Sequence, residues 1–345
     1  MIYRRVFYAP NIHQGGGKAL LLPLLDALVN ASDVMFILDE RLELSEGFHF
    51  EGKVYRVKAT VISRLCFEWK LRSLVSSEML LLCMGNLPPL FSHKGIQHVF
   101  VQNRYLIDNV TLESFSFIVR ARLLFERWWL RTRSRYVRNF FVQTPTMRKM
   151  LSESLGRDAK ALPFVPGFLV DNCGEINDTQ DKMYDFVYVA SGEPHKRHES
   201  LINGWLELAN RGYFPSLCLT LDPKHFSSLY AWIKKNVKEY GLNVEIKGCL
   251  SYSEVKALYC NSKAMIYPSV FESFGLPLLE ASSLGLPIVA SNASYVNDVI
   301  SPTITFDVDS PESIADAVID MPNTPAKITI NLFKAKDFLA ETFRV

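Results

Sequence analysis

From Asp185 to Ser291 the chain alternates short apolar strands with amphipathic helices, and few folds satisfy that alternation. Strands read at Asp185–Ala190, Ser216–Leu221, Val244–Lys247, Ala264–Tyr267 and Pro287–Ser291. Helices read at Glu199–Asn210, Phe226–Tyr240, Ser253–Cys260 and after Glu272. Strands that each pass into a helix before the next strand build a parallel, doubly wound sheet. Ligands of such sheets bind at the carboxyl ends of the strands.

The first half repeats the theme less cleanly. Strands read at Val6–Ala9, Val34–Leu38, Met79–Cys83, His98–Gln102 and Phe140–Gln143. Helices read at Leu20–Asn30, Glu68–Ser77, Phe115–Val137 and Met147–Leu155. A stretch rich in Pro, Gly, Asp and Asn, residues 163–182, reads as the linker between two domains, 1–165 and 166–345. The closing segment 328–345 looks helical and is free in sequence to pack back on the first domain. A chain of 345 residues is long enough for two cores.

Composition removes several classes. Hydrophobic content of 48% with 21% charged residues describes a folded protein and not a disordered one. No apolar run is long enough to span a bilayer, and the N-terminus reads as a strand and not as a signal peptide. The six cysteines form no Cys-x-x-Cys pair, so reduced thiols in a cytoplasmic protein are expected, with no metal site. The net charge of +2 conceals an asymmetry: residues 1–162 carry 23 Lys/Arg against 14 Asp/Glu, and the remainder is acidic. The basic half is the one suited to a polyanion or a membrane surface.

The chemistry concentrates between Tyr267 and Glu280. Pro268 ends a strand, Pro277 suits a first helical turn, and Gly285 suits a helix end. Glu272 then lies in the strand-to-helix loop and Glu280 about one turn into the helix. The amides of Ser273, Phe274, Gly275 and Leu276 are placed to hold an anion such as a diphosphate. One carboxylate is placed for sugar hydroxyls and the other for a ribose diol. A second loop, Ser191-Gly192-Glu193-Pro194-His195-Lys196-Arg197, follows the first strand of the second domain; Lys196 is positioned to reach a diphosphate, although a lone lysine in a turn is as often merely solvated. A third, Gly15-Gly16-Gly17-Lys18, permits close approach of backbone to ligand but fits neither a Walker A loop nor Gly-x-Gly-x-x-Gly.

Together these residues resemble the retaining glycosyltransferases of family 4, with the GT-B fold of two Rossmann-like domains facing a cleft. The Glu-x7-Glu pattern at Glu272 and Glu280, the strand at 285–291, the Lys196 loop, the glycines at 15–17 and the segment 306–313 carry the resemblance, which is specific over 185–320. It implies that Glu272 contacts the donor sugar, Glu280 the ribose and Lys196 the diphosphate, with Ser191, Arg197, Gly16 and Gly17 also on the donor. The family usually has Arg where Ser191 stands. The resemblance extends to bacterial O-antigen and capsule sugar transferases, implying transfer of a hexose from a GDP- or UDP-linked donor to a glycan, with no cofactor and no metal.

Two carboxylates also suit a glycoside hydrolase, but one inside a helix among Leu278, Leu279 and Ala281 suits a ligand diol better than proton shuttling. Gly15, Asn86, Asn103 and His98 are acceptor-side candidates, and no single general base stands out. Residues 118–141 hold seven arginines against one glutamate, interleaved with aromatics. On a helical wheel Arg120, Arg127, Arg131, Arg135 and Arg138 oppose Ile118, Phe125, Trp129, Tyr136 and Phe140, a pattern for an anionic membrane surface or for a helix buried on one face. No nucleic-acid motif accompanies the charge. The expectation is a cytoplasmic enzyme, peripheral on the membrane, with a polyprenyl-diphosphate-linked acceptor. A sugar-nucleotide epimerase and a non-catalytic partner in polysaccharide assembly are the alternatives.

Overall fold

A computed structural model describes residues 3–45, 48–113, 115–166 and 182–344. The chain divides into two compact units, one of Met1–Phe168 with Asn331–Val345, the other Leu169–Ile330. The linker expected at 163–182 falls largely outside the described residues.

In the first unit the elements run β1 (Arg5–Ala9), α1 (Gly15–Ala27), β2 (Val34–Asp39), β3 (Lys53–Val57), α2 (Val61–Leu74), β4 (Leu80–Cys83), β5 (Ile96–Val101), α3 (Phe117–Arg133), β6 (Asn139–Val142), α4 (Pro145–Leu155) and β7 (Ala159–Ala161). The strands form one parallel sheet in the order β3-β2-β1-β4-β5-β6-β7. Every residue of β2 and β4 is buried, and all but Asp39 at the end of β2 are apolar, as sheets covered on both faces require. β3 and β7 form its two edges, and their Lys and Arg side chains give them the sequence character of loops.

In the second unit the order is β8 (Tyr184–Tyr188), α5 (His198–Asn210), β9 (Leu217–Leu219), α6 (Ser227–Tyr240), β10 (Val244–Ile246), α7 (Tyr252–Cys260), β11 (Ser262–Tyr267), α8 (Leu276–Ser283), β12 (Ile288–Ser291), α9 (Ser294–Val299), β13 (Ile300–Ser301), β14 (Ile304–Phe306), α10 (Pro311–Ile319) and β15 (Lys327–Ile328). Six strands pair in parallel as β10-β9-β8-β11-β12-β14, with β13 and β15 in a short antiparallel pair. The helix start signals are chemical: Ser251 and Glu254 form a capping box on α7, and Ser310 caps α10. Gly204 packs α5 against α10 so closely that a Cβ there would lie 2.4 Å from Ile314.

The closing helix α11 (Ala335–Thr342) folds onto the first unit. Phe338 is fully buried and packs edge-on against Phe100 and tilted against Phe164, with ring centroids 4.9 Å apart in each case. Phe333 adds a parallel bridge to Phe164. Between residues 328 and 335 the segment is not helical, so the helix is shorter than its sequence suggested.

Candidate functional site

The strand ends of the second unit bring two loops together. After β8 the chain makes a short 3-10 turn at Pro194–Lys196, and Arg197 takes a left-handed conformation, φ 55°, before α5 starts. After β11, residues 268–275 lead into α8, with Gly275 at φ 77° as its N-cap. The loops are stitched by Val270 N–H donating to the His195 carbonyl (3.0 Å). Ser291 Oγ and Tyr295 Oη donate to the Ser269 carbonyl at 2.6 and 2.7 Å, fixing the second loop from β12 and α9.

At this junction Lys196 Nζ forms an ion pair with Glu272 Oε1, and both side chains are more than four-fifths buried. The same oxygen accepts from Tyr267 Oη at 3.1 Å and Ser269 Oγ at 2.6 Å. The Lys196 backbone is held as well, since Tyr188 Oη donates to its carbonyl at 2.7 Å. Tyr188 and Tyr267 meet edge-on, 5.7 Å between centroids, beneath the pair. A charged pair so withdrawn from water needs its additional hydrogen bonds, and Glu272 has them. Two residues 76 apart in sequence are therefore brought into direct contact.

Glu280 lies in α8, half-buried, and accepts one long bond from Tyr259 Oη at 3.3 Å. Burial pushes its carboxyl up to about 7, the Tyr259 bond opposing only in part. His198, the first residue of α5, is buried against Tyr188, and desolvation holds its imidazole neutral, down at about 4. Desolvation and the nearby Lys196 ammonium likewise lower His195. A cavity of about 580 Å³ opens at the carboxyl ends of β12 and β14, lined by Val270, Ser291, Asn292, Thr305, Asp307 and Asp309 among others. Arg197 pairs with Asp309 at 3.2 Å, and Ser191 Oγ bonds Glu193. Position 191 thus supplies no cation, and the positive charge at this site comes from Lys196 and Arg197. Ser273, Phe274, Gly275 and Leu276 lie on the path into α8, Phe274 and Gly275 buried.

The first unit relocates several expected residues. Gly15, Gly16 and Gly17 are not a loop but the first turn of α1, which begins five residues before the apolar run suggested. Asn86, at φ 70°, uses its side-chain oxygen to accept from the Gln102 and Asn103 amides at 2.6 and 2.8 Å. Asn103 caps the following turn through Tyr105 N–H. Both are committed to holding their loops. His98 is fully buried in β5, its Nδ1 2.7 Å from the Thr342 carbonyl and its Nε2 2.9 Å from Asn139. Its role is to tie α11 to the sheet, which removes it from the acceptor-side candidates.

The basic helix differs too. α3 ends at Arg133, so Arg135 and Arg138 are not on it. Arg127 faces inward and donates to the carbonyls of Tyr105, Asp108 and Val110. The buried stripe is Leu123 and Leu130, while Phe117, Ile118, Leu124, Phe125 and Trp128 are exposed. The helix expected at Glu68–Ser77 begins seven residues earlier, at Val61, and the Val61, Ile62, Leu65 and Trp69 side chains of α2 are also exposed. Thr60 before Val61 was the available signal, since its side chain caps the helix. Among the described residues no helix is long and apolar enough to cross a membrane, and no cluster of His, Cys, Asp and Glu is arranged to hold a metal.

Comparison with known proteins bears on the family and the fold. Residues 174–329 match the family described as glycosyl transferases group 1. Over 116 residues it is 27% identical to the O-antigen chain mannosyltransferase B of Escherichia coli, a match covering 33% of this chain and 30% of that protein. Over 136 residues it is 24% identical to the O-antigen chain mannosyltransferase RfbU of Salmonella typhimurium, covering 38% and 36%. The matches thus span about a third of these relatives' length. Among solved structures it is similar to Anabaena HepE in complex with UDP-glucose, with TM-score 0.65, 14% identity, and coverage of 92% of this chain and 88% of that one. Likeness at that identity shows the fold, which is GT-B.

Proposed function

We propose that this protein is a retaining glycosyltransferase of family 4 that moves a hexose from a nucleotide diphosphate sugar to a lipid-linked glycan in surface-polysaccharide synthesis. The observation that carries this reading is the Lys196–Glu272 pair, withdrawn from water at the strand ends of the second unit and held by Tyr267 and Ser269. All three bonds to Glu272 arrive at Oε1, so Oε2 is the oxygen offered to a sugar hydroxyl. Lys196 stabilises the diphosphate, and the ribose diol donates to Glu280. The acceptor oxygen bonds to the anomeric carbon on the face that the diphosphate leaves. The anomeric carbon–oxygen bond to phosphate breaks, and the acceptor proton passes to the departing phosphate oxygen, so the side chains need not supply a base. The donor base is that of a GDP- or UDP-hexose, and the relatives named mannosyltransferases favour mannose. The basic first unit works against the anionic cytoplasmic face of the membrane.

The test uses Glu272→Ala and Glu272→Gln with a panel of nucleotide hexoses. Transfer is expected to be lost in both variants while urea unfolding of Glu272→Gln remains cooperative; undiminished turnover in either rules the role out. Ser191 favours one second reading, a non-catalytic partner that keeps the nucleotide pocket, because no second cation is present at that position. Nucleotide binding without turnover across the panel selects that reading.

A further inference from the structure

The first unit holds a cavity of about 380 Å³, the size of a small-molecule site. Its walls are mostly apolar, including Val57, Val61, Leu65, Phe67, Leu87 and Phe125. Its polar groups are few and oddly served. Asn11 Oδ1, Arg64 Nε and Trp129 Nε1 are buried, belong to residues lining this cavity, and have no hydrogen-bond partner among the described residues. Unpaired buried groups of this kind are costly, and the two N–H donors among them point to a ligand that carries acceptor oxygens. Two are donors and one is an acceptor. Gly85 keeps the floor open, because a Cβ there would fall 1.9 Å from Asn11 Oδ1.

The mouth supplies the rest of the recognition. Leu65 of α2 and Phe125 of α3 line the cavity, yet are 41% and 50% exposed, so the apolar wall continues onto the surface. There it joins the exposed Val61 and Ile62 of α2 and the exposed Leu124 and Trp128 of α3. Arg64 and Arg122 line the same cavity, the Arg122 side chain being 65% exposed. Glu68 is occupied, accepting from Tyr8 Oη and from the Leu90 amide at 2.9 Å, and Arg64 Nη2 already bonds Asp39 and the Pro10 carbonyl at 3.3 Å, which leaves its Nε to the cavity; Glu126 lies 3.9 Å from Arg122, and burial raises its carboxyl towards the neutral form. An apolar wall that runs out to an apolar surface, with guanidinium groups at its edge and two unpaired N–H donors within, fits one amphiphile.

We infer that this cavity binds a phosphate-linked lipid, with phosphate oxygens accepting from Arg64 Nε and Trp129 Nε1, Arg122 adding charge, and the hydrocarbon chain running along Val61, Leu65 and Phe125 towards the bilayer. The inference rests on the lipid-linked acceptor proposed above, and assigns it a site in the first unit.

Geranyl phosphate, geraniol and inorganic phosphate, titrated into the full-length protein by calorimetry, test it without any sugar donor. Geranyl phosphate is expected to bind at least tenfold more tightly than either fragment. Leu65→Trp, which fills the mouth, and Trp129→Phe, which removes one donor but keeps a ring, are each expected to weaken it several-fold. Equal affinity for geranyl phosphate and inorganic phosphate in the wild-type protein overturns the inference, whether or not the variants fold. Binding of geranyl phosphate that both folded variants leave unchanged overturns it too. Lipid binding that survives alongside a complete absence of sugar transfer refutes the enzymatic reading and leaves this site standing; transfer to a water-soluble glycan without lipid binding does the reverse.

Discussion

Replacing Glu280 by Gln should stabilise the second unit above neutral pH and flatten its pH dependence. Glu280 is half-buried in α8, and its hydrogen-bond donor, Tyr259 Oη, is 3.3 Å away, well beyond the usual O–H···O distance. Burial raises its carboxyl from 4.5 to about 7. Between those values the folded protein holds a proton that the unfolded chain has lost. Stability therefore falls as pH rises through the window, and the full loss is present above it. At 1.36 kcal/mol per unit, the displacement corresponds to about 3 kcal/mol, an upper figure for a group that water partly reaches. Glutamine keeps an acceptor for Tyr259 and carries no charge. Amide exchange of β8 and β11, followed from about pH 4.5 to about pH 8, should show protection declining in the wild type and nearly level in the variant. The same carboxylate makes a ligand prediction: a nucleotide-sugar diol that donates to it should bind more tightly as pH rises across the window. Identical pH slopes in both proteins would falsify the argument, because the burial of Glu280 would then carry no charge penalty.

Phe338→Ala should cost about 3–5 kcal/mol in the first unit, since this fully buried ring lies between Phe100 and Phe164; urea unfolding measures it, and a loss under 1 kcal/mol would mean that α11 contributes little. Arg197→Gly should be neutral or mildly stabilising: it relieves roughly 1–2 kcal/mol of left-handed strain and gives up an exposed pair with Asp309 worth about 0–1 kcal/mol. A clear destabilisation, read from thermal unfolding, would show that the Arg197 side chain does more than that pair.

The central strands were legible because a strand covered on both faces must be apolar throughout, and β1, β2, β4, β5, β8, β11 and β12 all are apolar at their cores. Among the strands that escaped notice, β3, β7 and β14 are sheet edges, where lysine, arginine and threonine are tolerated and the apolar signal disappears, and β13 and β15 are two residues each. The candidate site drew attention for a different reason. Glu272 and Lys196 are charged residues in the loops that follow apolar strands, and Glu280 is a charged residue among apolar ones in α8, a juxtaposition that packing alone does not favour. What no spacing could reveal was that Lys196 and Glu272 touch, because the contact depends on β8 lying beside β11.

The basic helix shows why a wheel drawn at 100° per residue misleads when its cations are arginines. The wheel sorts by polarity and assigns every guanidinium to water. Arg127, however, carries donors enough to satisfy three backbone carbonyls at once, at Tyr105, Asp108 and Val110, and these carbonyls belong to a turn that makes no regular ladder. Packing therefore favours turning Arg127 inward beside Leu123 and Leu130. With that stripe buried, Phe117, Ile118, Leu124, Phe125 and Trp128 are rotated to the surface. The apolar side that the wheel buried is thus in part the exposed side. Since Phe125 also lines the cavity that Leu65 of α2 borders, the rotation joins two helices into one apolar surface around its mouth.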